Sequence, residues 1–177
     1  MYRLLALTIP FLIVSTSSTI SLANPPLEKL ALSQKGSIVL SNTAIGGLKI
    51  GMSENEVIKK LGAPKSRKVE PNGCTGTNDI TLKYANLDLY ILEGANKTDK
   101  SYLTAITTTN SRYITNQGIR VGNLMRKAEK AYTTSAVTGE KGLYLSLADR
   151  QQNECAITFS SNNGKTISEI DLVCAVC

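Results

Sequence analysis

The residues that could perform chemistry in this chain are few, and their spacing matches no known catalytic arrangement. The sequence contains no histidine, so it lacks the usual base of Ser-His-Asp and Cys-His nucleophile systems and the most common zinc ligand. It also contains no Ser-x-x-Lys motif and no glycine-rich phosphate-binding motif. Asp88, Glu93 and Asp99 are close in sequence, but such charges are typical of a solvated strand edge and loop. The sequence therefore predicts a protein that is not an enzyme and that needs neither a cofactor nor a metal ion.

The four cysteines, Cys74, Cys155, Cys174 and Cys177, are the other residues with possible chemistry. Cys174 and Cys177 have the Cys-x-x-Cys spacing, which begins a helix in thioredoxin-like folds. Here the pair follows a strand pattern instead, so a structural role is favoured. In an oxidising compartment an even number of cysteines predicts disulfides, and four cysteines allow three full pairings.

The first 23 residues have the features of a secretory signal peptide. Arg3 gives a basic start, an apolar run extends from Leu4 to Val14, and small residues precede Ala23. The apolar run is shorter than the roughly 20 residues that a membrane-spanning helix needs. We predict that residues 1–23 are a signal peptide, that residues 24–43 are a leader with a possible short strand, and that the protein is periplasmic or secreted without a membrane span.

The segment from Gly47 to Pro64 contains the most specific local pattern in the chain. Ser53 is followed three residues later by Glu56, which is the spacing of a capping box at a helix N-terminus. Gly62 can adopt the backbone conformation that ends a helix. The pattern predicts a short helix from about Glu54 to Leu61.

Strand patterns follow this helix, and the same order of elements then begins again. The sequence from residue 117 to residue 122 echoes that from residue 46 to residue 51, with matching residue types at every position except the first. A second helix is predicted after it, with one apolar face formed by Leu124, Ala128, Ala131 and Tyr132. Alternating or β-branched residues predict three strands in each half, at 80–84, 87–92 and 102–109, and at 143–147, 155–160 and 167–173. Residues 65–78 are predicted to form a loop.

We therefore predict an α+β fold of two tandem helix-plus-three-strand units, residues 44–110 and 111–177. The helices are expected to pack on one face of a curved antiparallel sheet. Asn163-Gly164 predicts a type I′ hairpin turn, which places Cys155 opposite Leu172 and on the same face as Cys174. A Cys155–Cys174 bridge is plausible in this register, Cys155–Cys177 is the alternative, and Cys74 is expected to bond to the remaining cysteine.

The pattern Leu-x-Ile-Gly-Met-Ser-x-x-Glu-Val-x-x-x-Leu-Gly-x-Pro at residues 48–64 resembles the helix signature of the SmpA/OmlA family. These BamE-like proteins are small lipoproteins of the outer-membrane β-barrel assembly machinery. The doubled unit resembles the β-lactamase-inhibitor-protein-like fold. The resemblance implies that the helices cover one face of the sheet and that the other face is open to bind protein. The chain departs from the family because it has no lipobox cysteine and is doubled, and the matched positions build the helix, so no partner-contacting residue is transferred.

Two classes of function remain open from the sequence. The favoured one is an exported protein-binding module, such as an inhibitor, adaptor or envelope assembly factor, whose partner is an envelope or extracellular protein. Nucleic acid is not an expected partner of an exported chain with two phenylalanines and no tryptophan. Lys83 and Tyr144 are the predicted contacts, and the other tyrosines that could add aromatic area are Tyr84, Tyr90, Tyr102 and Tyr113. The alternative is an envelope enzyme or ligand-binding protein that acts on cell-wall or outer-membrane material through scattered Lys and Arg side chains.

Overall fold

The computed structural model describes residues 39–96, 99–132, 136–139, 142–147 and 154–175. The predicted signal peptide and most of the leader lie outside these ranges. The described part of the leader begins at residue 39. Residues 40–42 form a 3₁₀ turn and not a strand. The remaining elements are α1 (Glu54–Leu61), β1 (Ser66–Pro71), β2 (Asn78–Tyr84), β3 (Leu87–Leu92), β4 (Tyr102–Thr108), α2 (Met125–Ala131), β5 (Ala136–Gly139), β6 (Gly142–Leu147), β7 (Cys155–Ser160) and β8 (Glu169–Cys174).

All eight of these strands belong to one antiparallel sheet, in the order β1-β2-β3-β4-β8-β7-β6-β5. Each helix is followed by four strands along the chain, and β4 pairs with β8 at the centre of the sheet. The predicted fold of two helix-plus-three-strand units is therefore wrong. The two strands that were not predicted are β1 and β5, which are the two edge strands.

The edge position explains why the sequence of β1 predicts a loop although the segment is a strand. All six of its residues are exposed, so no alternation of apolar and polar residues marks it as a strand. Strand β5 has only four residues, which is too short to show a period. Edge strands of this kind are held by the backbone hydrogen bonds of their single neighbour, and their sequences carry little signal.

Helix α1 begins with both hydrogen bonds of a capping box. The Glu56 backbone N–H donates to Ser53 Oγ at 3.3 Å, and the Ser53 backbone N–H donates to Glu56 Oε2 at 2.8 Å. The hydroxyl and backbone hydrogen bonds from Ser53 lower the pKa of Glu56. The helix ends at Gly62, whose φ of 82° lies in a region that favours glycine. Val57 is the helix residue that is fully buried in the core.

Replacing Ser53 with alanine should lower the free energy of unfolding by about 1 kcal/mol, because the Glu56 N–H loses its acceptor. Denaturant unfolding of the two proteins measures the difference. Glu56→Gln is the matched control, since glutamine can also accept the hydrogen bond from the Ser53 N–H, and it should cost less. Equal midpoints for Ser53→Ala and the wild type would show that this cap does not contribute to stability.

One face of the sheet carries the hydrophobic core. Because side chains alternate along a strand, apolar residues at every second position meet across neighbouring strands, as in the Leu82–Leu89–Ile106–Leu172–Ile157 row. All five of these side chains are completely buried. The other large members of the core are Ile45, Leu48, Val57, Ile80, Leu87, Ile91, Leu103, Ile119, Met125, Tyr132, Phe159, Ile167 and Ile170.

The buried face of helix α2 differs from the prediction. The helix begins at Met125, and Leu124 is its extended N-cap residue, with a side chain that is 43% exposed. Leu124 forms an isolated β-bridge with Thr166, which holds it outside the helix. Ala131 is also exposed. The prediction is therefore wrong for Leu124 and Ala131, and Met125 is buried instead.

The two glycine-bounded segments that resemble each other in sequence also have the same backbone role. Gly51 and Gly122 both have a φ of 87°. The Gly51 N–H donates to the Leu103 carbonyl at 2.8 Å, and the Gly122 N–H donates to the Ile167 carbonyl at 2.8 Å. The segment before α1 is thus hydrogen-bonded to β4, and the segment before α2 is hydrogen-bonded to the chain just before β8.

The hairpin between β7 and β8 has a different register from the predicted one. Ser160 pairs with Glu169, and Cys155 lies directly opposite Cys174 rather than opposite Leu172. The loop is longer than a two-residue turn because Asn163 Oδ1 accepts hydrogen bonds from the backbone N–H groups of Lys165 and Thr166. A shift of two residues keeps every side chain on its predicted face.

A disulfide joins Cys155 to Cys174, with a Cα–Cα distance of 4.0 Å. The first of the two predicted bridges for Cys155 is therefore confirmed. Cys74 is also disulfide-bonded, while Cys177 lies outside the described residues, so the predicted link between Cys74 and the C-terminus stays a prediction.

Candidate functional site

The candidate site is the face of the sheet opposite the core, which we call the open face. Its side chains come from the strand positions that alternate with the core positions. In the central strands these positions are occupied by Thr81, Lys83, Asp88, Tyr90, Ala105, Thr107, Thr158, Glu169, Asp171 and Val173. Many of these side chains are accessible to solvent, so the open face is available for contact.

An apolar row crosses the middle of the open face. Tyr90 of β3 lies beside Ala105 of β4, and Ala105 lies beside Val173 of β8. Tyr90 is 39% exposed and Val173 is 42% exposed. Both are large apolar residues, a type that is more often buried. Tyr102, the first residue of β4, is exposed to a similar degree. The row joins the two halves of the sheet and resembles the aromatic and aliphatic centre of a protein interface.

A polar row runs parallel to the apolar row and is displaced from it by two residues along each strand. Lys83 pairs with Asp88 at 3.4 Å, and the row continues through Thr107 to Asp171. Glu169 precedes Asp171 by two residues on the same face. Partial burial, together with the negative charge of Asp171 and a hydrogen bond to it, raises the pKa of Glu169. The neighbouring carboxylate of Asp171 therefore disfavours the ionised form of Glu169.

The open face is acidic, whereas the whole chain is basic with a formal net charge of +6. Among the described residues of this face, carboxylates outnumber ammonium groups. The carboxylates belong to Glu70, Asp79, Asp88, Glu169 and Asp171, and the ammonium groups belong to Lys68 and Lys83. The open face thus has a negative net charge, whereas the chain as a whole has a positive one.

The structure places one of the two predicted contacts on the open face. Lys83 is exposed there, and the side chain of Tyr144 is outside the described part of the chain. The backbone of Tyr144 pairs with Thr158, which is the next residue of the polar row after Asp171. Among the other tyrosines, the Tyr84 hydroxyl donates to the Gly62 carbonyl at 3.0 Å, and Tyr113 packs against the core.

Sequence reasoning missed Val173 and Asp171 as members of the site. Strand alternation around the buried Leu172 could have assigned both to the open face. Their position beside Ala105 and Thr107 depends on the pairing of β4 with β8, which no local pattern predicts.

Two hollows lined by described residues are open depressions. One of 310 Å³ lies at the end of the polar row, beside Lys83, Asp88 and Glu169. Another of 670 Å³ lies beside α2 and is lined in part by Leu124, Arg126, Lys127 and Lys130. Within the ranges that the structure describes, no cluster of acidic and cysteine side chains has an arrangement that could hold a metal ion. In the same ranges, no helix has both the length and the apolar character needed to cross a membrane.

No protein-family model, curated protein or solved structure matches this chain significantly. The resemblance of residues 48–64 to the SmpA/OmlA helix signature therefore stays a prediction from the sequence.

Proposed function

We propose that this protein is an exported, non-catalytic module that binds an envelope or extracellular protein through the open face of its sheet. The observation that carries the proposal is the exposed apolar row of Tyr90, Ala105 and Val173 at the centre of the sheet. The large buried side chains of the core lie on the other face, and the side chains of Tyr90 and Val173 are left more than a third exposed. Large apolar side chains at the centre of a broad surface are the usual anchors of protein interfaces.

The charges around the apolar row indicate the chemistry of the partner. Asp171 and Glu169 lie at one side of the row without a lysine or arginine salt bridge among the described residues. A partner that places lysine or arginine beside them would relieve their mutual repulsion and accelerate association by electrostatic attraction. We infer a partner surface with an apolar centre and basic residues at its border.

The cellular role is part of the same proposal. The signal-peptide pattern of residues 1–23 supports a periplasmic or secreted location. The helix signature supports a role as an envelope assembly factor, and an inhibitor or adaptor would use the same kind of surface. Lys83 and Tyr144 remain predicted contacts. Lys83 belongs to the polar row, and the backbone of Tyr144 pairs with Thr158, which continues that row.

Substitutions in the apolar row test the proposal directly. Tyr90→Ala and Val173→Asp should each weaken binding of a partner captured from envelope extract by about tenfold or more, because they remove an apolar anchor or place a charge at the centre of the interface. Ile114→Asp is the matched control, since Ile114 is 41% exposed but is not part of the sheet. Affinities are measured by calorimetry with the purified partner, after thermal unfolding has shown that each variant is folded.

The proposal fails if both open-face variants bind the partner with wild-type affinity. Lys83→Glu and Tyr144→Ala, measured in the same assay, test the two contacts predicted from the sequence. Loss of binding in Ile114→Asp alone would assign the contact to a different surface.

A second candidate function is supported by the hollow beside α2. Arg126, Lys127 and Lys130 give this 670 Å³ depression a positive charge, and the exposed Leu124 gives it an apolar wall. An anionic component of the cell wall or outer membrane could bind there. Titration with an anionic cell-wall polymer separates the two functions: saturable binding that Arg126→Glu abolishes favours this candidate, and its absence removes it.

A further inference from the structure

Among the described residues, strand β1 has a partner strand on only one side of its backbone, because it lies at the edge of the sheet. It is the first strand in the sheet order, and all six of its side chains are exposed. The Asn72 N–H donates to the Thr77 carbonyl at 2.8 Å, which continues the register of β1 with β2. In an antiparallel ladder the hydrogen-bonded positions alternate. Even-numbered residues of β1 therefore bond to β2, and the backbone groups of Arg67 and Val69 point away from the sheet.

An edge of this kind can pair with an added strand unless its side chains prevent it. Two features of β1 restrict the pairing. Pro71 has no N–H to donate, so the outward ladder ends there. Lys68 and Glu70 project from the same face and pair with each other at 2.7 Å, so any added strand must match a positive and a negative charge.

The charges of β1 select one register for pairing with an identical strand. In an antiparallel pair related by a two-fold axis, one residue lies opposite itself. An axis at Arg67, Lys68 or Glu70 would place like charges directly opposite, which is destabilising. An axis at Val69 instead places Lys68 opposite Glu70 twice. This register also brings the outward N–H and C=O groups of Val69 opposite each other, which is the hydrogen-bonded arrangement.

We propose that a second copy of this protein is the partner of the β1 edge, in a two-fold dimer centred on Val69. Each Lys68 lies opposite Glu70 of the partner subunit, and the two Val69 side chains, each 46% exposed in a single copy, contact one another. The inference is independent of the function proposed for the open face. It leaves that face uncovered, because the second copy extends the sheet in its own plane.

The contact is small, so the dimer should form in a concentration-dependent way. A six-residue strand buries much less than the roughly 1,200–2,000 Å² of a stable interface. Sedimentation of the disulfide-intact protein between about 1 μM and about 1 mM should therefore show a monomer–dimer equilibrium. A protein that stays monomeric over this whole range overturns the proposal.

Charge exchange tests the register. Lys68→Glu and Glu70→Lys should each weaken dimerisation by about tenfold or more, because two attractive pairs become two repulsive pairs. An equimolar mixture of the two variants should recover the dimer as a heterodimer, since every Lys–Glu pair is restored across the axis. Lys59→Glu, which makes the same charge change on helix α1, should dimerise like the wild type. Failure of the mixture to recover the dimer overturns this register.

Amide hydrogen exchange identifies the contact at single residues. The Lys68 N–H is already bonded to β2 and should be protected at all protein concentrations. The N–H groups of Arg67 and Val69 should exchange rapidly in dilute solution and become protected as the dimer forms. Protection that rises with concentration at other residues, with no change at Val69, would place the interface elsewhere and overturn the proposal.

Discussion

Replacing Tyr132 with alanine should lower the free energy of unfolding by about 3–5 kcal/mol, a large fraction of the stability of a typical domain. Tyr132 is 2% exposed and is among the largest fully enclosed side chains of the core. Its ring lies 5.4 Å from that of Phe159, and its hydroxyl donates to Thr115 Oγ1 at 3.2 Å. Alanine would leave a cavity at the junction of helix α2, strand β7 and the loop that contains Thr115.

The effect should be large because Tyr132 also holds helix α2 in place. A helix of seven residues is not stable alone in water, and α2 has no side-chain cap at its N-terminus. Its position therefore depends on the burial of Met125, Ala128 and Tyr132. Denaturant unfolding followed by circular dichroism measures the loss.

Two tyrosine variants control this measurement. Tyr132→Phe keeps the ring and removes only the hydroxyl, so it should cost about 0.5–1.5 kcal/mol. Tyr90→Ala removes a half-exposed tyrosine of the open face and should cost about 1 kcal/mol or less. A cost for Tyr132→Ala that is no greater than that for Tyr90→Ala would contradict the role given to Tyr132.

The elements that the sequence predicts well are those whose signals are local. Ser53, Glu56 and Gly62 specify the start and end of α1 within ten residues of chain, and the structure has the helix at Glu54–Leu61. Strand β3, at Leu87–Leu92, has the predicted bounds because it is central and its apolar residues alternate.

The elements that the sequence misses depend on neighbours that are distant in the chain. Strand β1 is exposed along its length, so only its hydrogen bonds to β2 define it. The eight-residue connection between Ser160 and Glu169 replaces the predicted Asn-Gly turn because the Asn163 side chain binds backbone N–H groups within the loop. Leu124 is apolar but exposed, since its bridge to Thr166 stops it from joining the helix.

The candidate site could be predicted only in part for the same reason. The sequence places Lys83 on the open face because Lys83 alternates with Leu82 within one strand. The apolar row can be predicted only if the pairing of β4 with β8 is known, because that pairing brings Ala105 beside Val173. No periodicity in either strand contains that information.

Removing the disulfide between β7 and β8 should lower the free energy of unfolding by about 3 kcal/mol in the chain-entropy account, given the 19-residue separation of its cysteines. Cys155→Ala combined with Cys174→Ala is the appropriate variant, because a single substitution would leave a thiol that could exchange with the bond of Cys74. Both sulfur-bearing residues are buried, so alanine avoids placing a hydroxyl in the core. Guanidinium unfolding should show a lower midpoint and also a steeper denaturant dependence, since the unfolded chain without the bond is more expanded.

Controlled reduction of the wild type should distinguish this bond from the bond of Cys74. Cys155 and Cys174 are 2% and 7% exposed, whereas Cys74 lies in an exposed turn between β1 and β2. Thiol–disulfide exchange requires access of the attacking thiolate to a sulfur. Under native conditions a mild reductant should therefore open the bond of Cys74 first, and the bond between Cys155 and Cys174 should resist until the sheet itself unfolds. Timed alkylation followed by peptide mass analysis measures the order, and equal rates at the two bonds would show that burial in the β7–β8 hairpin gives no protection.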